Sequence, residues 1–293
     1  MSARLQRTVL LLPAMLTIGL VLVAPLCLIG YVSTLQRNDY GGVLWGHHTA
    51  EAYVQFLFER DLDDRLVINS DYLRIILRSI GLAALTSLIT FVLAFPTALW
   101  MALQPPSRRT LLLFVITVPF WTNLLVRNYA WVLILKNGGV LDWLAHRLGA
   151  TVSLDLLYTP TATLIGLVYS FMPYMVLPIY VSMEKMDRRY VEAAFDLGAD
   201  RLQVVRRIIF PLALPGVVGG LILVFIPGLG AFVSPELLGG AKSMMVGSLI
   251  QQQFGQARNW PFGSALAFVL LALILLSLWL RALRFRSRTS AAP

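Results

Sequence analysis

The chain has 293 residues, of which 58% are hydrophobic and 13% charged, with a mean hydropathy of +0.74 and a formal net charge of +9. A soluble domain carries roughly 25% charged residues, and no water-filled surroundings suit so apolar a chain, so the composition points to the bilayer as solvent. The single cysteine, Cys27, makes no intrachain disulfide, which excludes a stapled secreted fold.

A membrane-spanning helix needs about 20 mostly apolar residues. Six stretches qualify: 9–32, 75–103, 110–135, 160–183, 212–233 and 262–283. The first follows Arg4 and Arg7, as a signal peptide would. However, it is too long for a signal core and lacks a small-residue cleavage site. The bulky Leu26 before Cys27 also speaks against a lipoprotein, so an uncleaved first span is expected. The loop 33–74 is acidic, with Asp39, Glu51, Glu59, Asp61, Asp63, Asp64 and Asp71. Three readings stay open for it: a solvated loop, a docking surface for a soluble partner, or a field that concentrates cations. From 75 to 283 the sequence reads as a five-helix core, followed by a basic tail, 284–293.

The second and third stretches are joined by the basic turn Gln104-Pro105-Pro106-Ser107-Arg108-Arg109. Prolines 96, 119, 173, 178 and 227 fall within apolar runs. Each would cost a soluble helix roughly 3 kcal/mol, but in a bundle neighbouring groups satisfy the freed carbonyls, and kinks there bend helices around a pathway. Lysine and arginine set the orientation. With the N-terminus inside, the inner side holds fourteen of them, against seven in the outer loops, which puts both termini in the cytoplasm.

Several chemistries find no residues. There is no Gly-x-x-x-x-Gly-Lys-Ser/Thr phosphate loop. Gly228-Leu229-Gly230 lies in an apolar run, and His47, His48 and His146 lack metal-ligand spacing. No carboxylate lies within a predicted span, whereas an ion-coupled carrier needs ionisable groups there. Uphill transport by this chain would therefore draw its energy from another subunit.

The long inner loop, 184–211, has the densest local signals. Met183, Met186, Tyr190, Ala193, Ala194 and Leu197 share one helical face. Asp187 is placed to cap this helix, and Gly198 to end it in a left-handed conformation. Asp200 with Gln203 forms a capping-box pattern that opens a second short helix, whose predicted stripe is Leu202, Val205, Ile208 and Ile209. Pro211 is expected to break the ladder before the fifth span. Periodicity alone allows two roles for this elbow, lying on lipid headgroups or docking a partner.

Glu192-Ala193-Ala194, three residues, Gly198, nine residues, Ile208, two residues and Pro211 resembles the EAA loop of ABC-importer permeases, with Phe210 where the family commonly has leucine. The resemblance implies an all-α, polytopic type I importer permease with six transmembrane helices in a bacterial inner (plasma) membrane. It implies that Glu192, Ala193, Ala194, Gly198, Arg188, Arg201, Ile208 and Pro211 couple the bundle to a cytoplasmic ATPase, Gly198 setting the sharp angle. ATP and magnesium would then sit on that partner, with no cofactor and no catalysis on this chain. The implied assembly is a second permease chain, usually a different one, two ATPase subunits and a periplasmic binding protein, in lipid and without nucleic acid.

The stretch Pro119 to Trp131, together with 238–243 and 259–265, resembles the spermidine/putrescine permeases; relatives with such stretches also carry opines and aminophosphonates. Aromatic faces bind ammonium groups without a buried carboxylate. The candidate path residues are Trp121, Tyr129, Trp131, Tyr169, Phe171, Tyr174, Phe225 and Phe232, with Glu236 as a carboxylate beyond the fifth span. Interfacial anchoring and packing compete for each ring, so only a minority is expected to line the path. Arg127 opposes a cation path unless it snorkels outward or pairs with Glu236; unpaired, it favours an anionic or zwitterionic substrate. An ion-driven carrier and a non-transporting scaffold are the rival readings. The first lacks its carboxylates, and the second leaves the EAA spacing unexplained.

Overall fold

A computed structural model describes residues 3–60, 66–68, 70–149, 155–187 and 189–289. The contacts divide the chain into two units, residues 1–74 with 249–293, and residues 75–248.

In the first unit, α1 (Ala3–Val32) packs along α12 (Trp260–Thr289), where Gly30 lets the Phe268 ring approach. From Leu11 to Val32 no side chain of α1 is buried, as expected of a helix whose solvent is lipid. The acidic loop is not featureless. It forms an antiparallel hairpin, β1 (Leu35–Arg37) with β2 (Val43–His48), a single turn α2 (Glu51–Val54), and a second hairpin, β3 (Phe58–Arg60) with β4 (Leu66–Ile68). The all-α expectation is corrected to that extent. Positive φ at Gly41 and Gly42 closes the first turn, and Gly42 N–H donates to Arg258 O. Phe262 is buried between the edges of Phe56 and Tyr72. Asn259 caps α12 by accepting from Phe262 N–H. Asp61, Asp63 and Asp64 lie outside the described residues.

The second unit is built around α3 (Asp71–Leu103), α7 (Pro160–Glu184) and α10 (Phe210–Leu229). Small residues on α3, Ala94 and Ala98, meet Met175, Ile179 and Tyr180 of α7 and Ala213, Val217 and Val224 of α10. In membranes, where apolar surface gains nothing by leaving lipid, such close packing drives association. Gly216 shows how close it is: a Cβ there would collide with the Pro178 carbonyl and the Ser182 hydroxyl. Pro178 is thus absorbed in a helix seam, as bundle prolines are.

Four described helices are long and apolar enough to cross a membrane: Leu11–Val32, Asp71–Leu103, Pro160–Glu184 and Arg201–Leu229. The expected third span, 110–135, is not one helix. It is α4 (Pro106–Trp121) and α5 (Leu124–Leu135), broken at Thr122-Asn123; Pro106–Trp121 meets the stretch Leu124–Arg147 at a bend of 90°, and the two make a fifth crossing if counted as one. Pro119 weakens the end of α4, and Asn123 starts α5 by accepting from Leu125 N–H at 2.8 Å. The short α6 (Val140–Arg147) follows. The expected fifth span, 212–233, instead ends at Leu229, so Phe232 stands in the connector beyond it. In α12 the described apolar part is Trp260–Leu276.

Candidate functional site: an exposed elbow and an aromatic cavity

The elbow forms as a run of local stops and starts. Beyond α7, Asp187 Oδ1 accepts from Arg189 N–H at 3.0 Å and opens α8 (Arg189–Asp196). Gly198 closes α8 with φ +81. Its N–H donates to Phe195 O and that of Ala199 to Ala194 O, the paired bonds of a Schellman cap. No neighbour lies near a Cβ placed on Gly198, so backbone conformation alone asks for glycine. Asp200 then caps α9 (Arg201–Val204) in a full capping box, accepting from Gln203 N–H at 2.7 Å.

Between α9 and α10 the backbone makes a π-turn, Val205–Ile209, in which Phe210 N–H reaches Val205 O. Pro211 therefore does not break the helix, contrary to expectation. The wider turn just before it takes up the ring and the missing N–H. Elbow and span run on as one helix, Arg201–Leu229.

The two predicted stripes separate into an anchored and a free set. Met183, Ala194, Val204 and Ile209 are buried in the core, and Ile208 packs against it. Tyr190, Ala193 and Leu202 are exposed, and Leu197 is 88% exposed. Leu202 thus leaves the expected stripe and Val204 takes its place. Glu192, Arg201 and Pro211 are also exposed, whereas Arg188 lies outside the described residues. Above the elbow, the Arg109 guanidinium donates to Ala102 O and Gln104 O, 4.0 Å from Glu184. Glu184 in turn accepts from the Tyr180 hydroxyl at 2.8 Å. This clamp, tying the α3–α4 turn to the end of α7, had no signal in the sequence beyond a basic turn.

The second feature is a cavity of about 430 Å³ at the α4–α5 break. Phe120 and Arg127 line it from the break, Phe171 and Tyr174 from α7, and Phe232 and Ser234 from the connector after α10. Phe120 and Tyr174 meet edge to face at 5.1 Å, and Tyr174 lies 6.0 Å from Phe171. The Arg127 guanidinium stands over the Phe120 ring, 5.8 Å from its centroid. Its Nε is buried without a hydrogen-bond partner, and among the described residues no carboxylate lies within ion-pairing distance. The expected pairing with Glu236 is absent; Glu236 is exposed on a π-turn, Pro235–Gly239.

Of the expected path residues, Phe171, Tyr174 and Phe232 reach the cavity. Trp131 and Tyr169 meet each other at 5.5 Å, and Trp131 packs on Leu135 and Leu238. Trp121 is 84% exposed and Tyr129 faces outward, while Phe225 is half-buried in α10. Phe120, Ser170 and Ser234 were missed. Pro119 and the capping asparagine at 123 were the signals that would have placed Phe120 at a break. In the first unit, Arg37, Asp39, Glu51 and Gln55 line a separate polar cleft of about 530 Å³.

Four described helices long and apolar enough to cross a membrane define a polytopic membrane protein. The family described as binding-protein-dependent transport system inner membrane component matches residues 84–289, and the chain belongs to it. It is 40% identical over 232 residues, 78% of this chain and 84% of the relative, to the spermidine/putrescine transport system permease protein PotB of Escherichia coli (strain K12). To the PotB of Haemophilus influenzae it is 39% identical over 213 residues, 71% and 74% of the two chains. In fold it is similar to a bacterial ABC transporter involved in the import of the acidic polysaccharide alginate, with TM-score 0.70 at 15% identity, covering 99% of this chain and 98% of that one. A second structure of the alginate transporter, with a bound periplasmic protein, gives TM-score 0.67 at 15% identity over 93% and 94%.

Proposed function

We propose that this chain is the permease subunit of a polyamine importer, providing half of the path for spermidine or putrescine across the inner membrane. The observation that carries this reading is the 40% identity to PotB over most of both chains. The wall of Phe120, Phe171 and Tyr174 supports it, because ammonium groups bind aromatic faces. Six crossings are assigned to α1, α3, the α4–α5 pair, α7, the helix Arg201–Leu229 and α12, with both termini in the cytoplasm. The partners are a second permease chain, two ATPase subunits that hold ATP and magnesium, and a periplasmic binding protein.

The elbow is the ATPase-docking handle. Glu192, Arg188 and Arg201 supply charged contacts, and Ala193 allows close approach. Ala194 and Ile208 root the handle in the bundle, Pro211 leads it into the span, and Gly198 sets its angle. Tyr174 and Phe232 line the path. One observation favours a second reading: the unpaired Arg127 suits a small amine that also carries an acid group, such as an opine or an aminophosphonate.

The test is uptake by the complete importer in liposomes. ATP-dependent spermidine uptake, competed by putrescine and not by an aminophosphonate, is expected. Deleting residues 188–210 is expected to abolish co-purification with the ATPase. Uptake by the purified chain alone without ATP would overturn the reading, and competition by the aminophosphonate alone would replace the substrate.

A further inference from the structure

The cavity has an oddity that a polyamine path does not explain. A cation already stands in it. Arg127 comes from the first turns of α5, and its guanidinium lies over Phe120. Phe120 is in edge contact with Tyr174, and Tyr174 borders Phe171, so the guanidinium occupies one end of the aromatic wall. Among the described residues no carboxylate holds it there, and its Nε has no acceptor. A guanidinium held by an ion pair would be a fixed part of the wall; this one is held by a ring face and by packing. Ring faces take an alkylammonium by the same attraction. Like charges in so apolar a cavity repel strongly, so the guanidinium and a substrate ammonium do not share it.

We infer that Arg127 is a resident cation, occupying the aromatic cavity when substrate is absent and yielding its place to a substrate ammonium group. It acts as a built-in competitor that sets a threshold for entry. A lone small cation gains little by displacing it, whereas a chain amine with several ammonium groups can push it out while its other charges stay solvated. This inference rests on the amine reading of the path.

The experiment uses the assembled permease pair with its ATPase subunits in nanodiscs of zwitterionic phosphatidylcholine, without nucleotide. Equilibrium binding of radiolabelled spermidine is compared for wild type, Arg127→Gln and Arg127→Lys. Removing the competitor is expected to tighten binding about fivefold or more, the scale of one cation–π contact. Arg127→Lys, which keeps a charge that can sit on the ring, is expected to bind like wild type and controls for assembly. Equal or weaker binding by Arg127→Gln overturns the inference. So does binding of 2-aminoethylphosphonate that is lost in Arg127→Gln, which would make Arg127 an anion site. Spermidine uptake by the complete wild-type importer, measured in parallel, separates the two levels. If uptake is absent, the substrate reading falls and takes this inference with it. If uptake is present and binding is unchanged by Arg127→Gln, the inference alone fails.

Discussion

The elbow and the aromatic cavity sit in the same unit and are built in opposite ways. The elbow is determined link by link among the described residues from Glu184 to Pro211, through caps that each involve neighbours no more than five residues apart. The cavity gathers side chains from three separate stretches, and its rings hold one another across helices. The elbow is stiff and outward, with Leu197, Leu202 and Tyr190 left bare. The cavity is lined by a charged side chain held by a ring face, whose buried Nε has no hydrogen-bond partner. In the roles proposed for them, a handle would have to keep its shape, whereas a path would have to yield to what passes through it. The difference is visible in which hydrogen bonds are made and which are not.

Perturbing the roots of the elbow should have the largest effect. Ile209→Ala removes a buried side chain where the π-turn meets the core and is expected to cost about 2–4 kcal/mol. A fall in the thermal midpoint of the purified complex would register it; an unchanged midpoint would mean the elbow is not rooted there. Gly198→Val comes next. A β-branched residue at φ +81 costs about 1–2 kcal/mol and turns α8 away from its angle. ATP hydrolysis should continue while uptake falls at least about tenfold, the size of a loss of roughly 1.4 kcal/mol; normal uptake would break the link between elbow and transport. Asp200→Ala loses one cap, about 1 kcal/mol, and should weaken ATPase co-purification only slightly. Tyr174→Leu keeps the bulk but removes a ring from the cavity. It is expected to weaken spermidine binding by about 0.5–1 kcal/mol, roughly two- to fivefold, with no change in ATPase association. If Tyr174→Leu disturbed ATPase docking, or Asp200→Ala disturbed spermidine binding, the two regions would not be separable.

The same contrast explains what could be read beforehand. Asp187, Gly198 and the Asp200–Gln203 box are local signals, and the structure has each one where the spacing puts it. Leu202 was misplaced because the π-turn winds one residue more per turn than the spacing assumed, so the face of α9 rotates. The break at Thr122-Asn123 was hidden by apolar continuity, since a run from 110 to 135 reads as one span whether or not its ladder is interrupted. The hairpins escaped because their strands are short, three to six residues each, too short to show an alternating pattern. The pairing of Phe120 with Tyr174 links residues 54 positions apart, and no local pattern carries such information.

The unbroken helix from Arg201 to Leu229 has a mechanical consequence. Its 29 residues make a rod of about 43 Å at ~1.5 Å per residue. One end is the elbow, and at the other Pro227 forms part of the cavity rim. Pivoted at the Gly216 seam, such a rod is a lever: a tilt of about 10° moves its two ends several ångströms in opposite directions. On the proposed reading, a pull on the elbow would arrive at the cavity as a displacement of Pro227 and the connector that bears Phe232, without any signal having to pass from side chain to side chain.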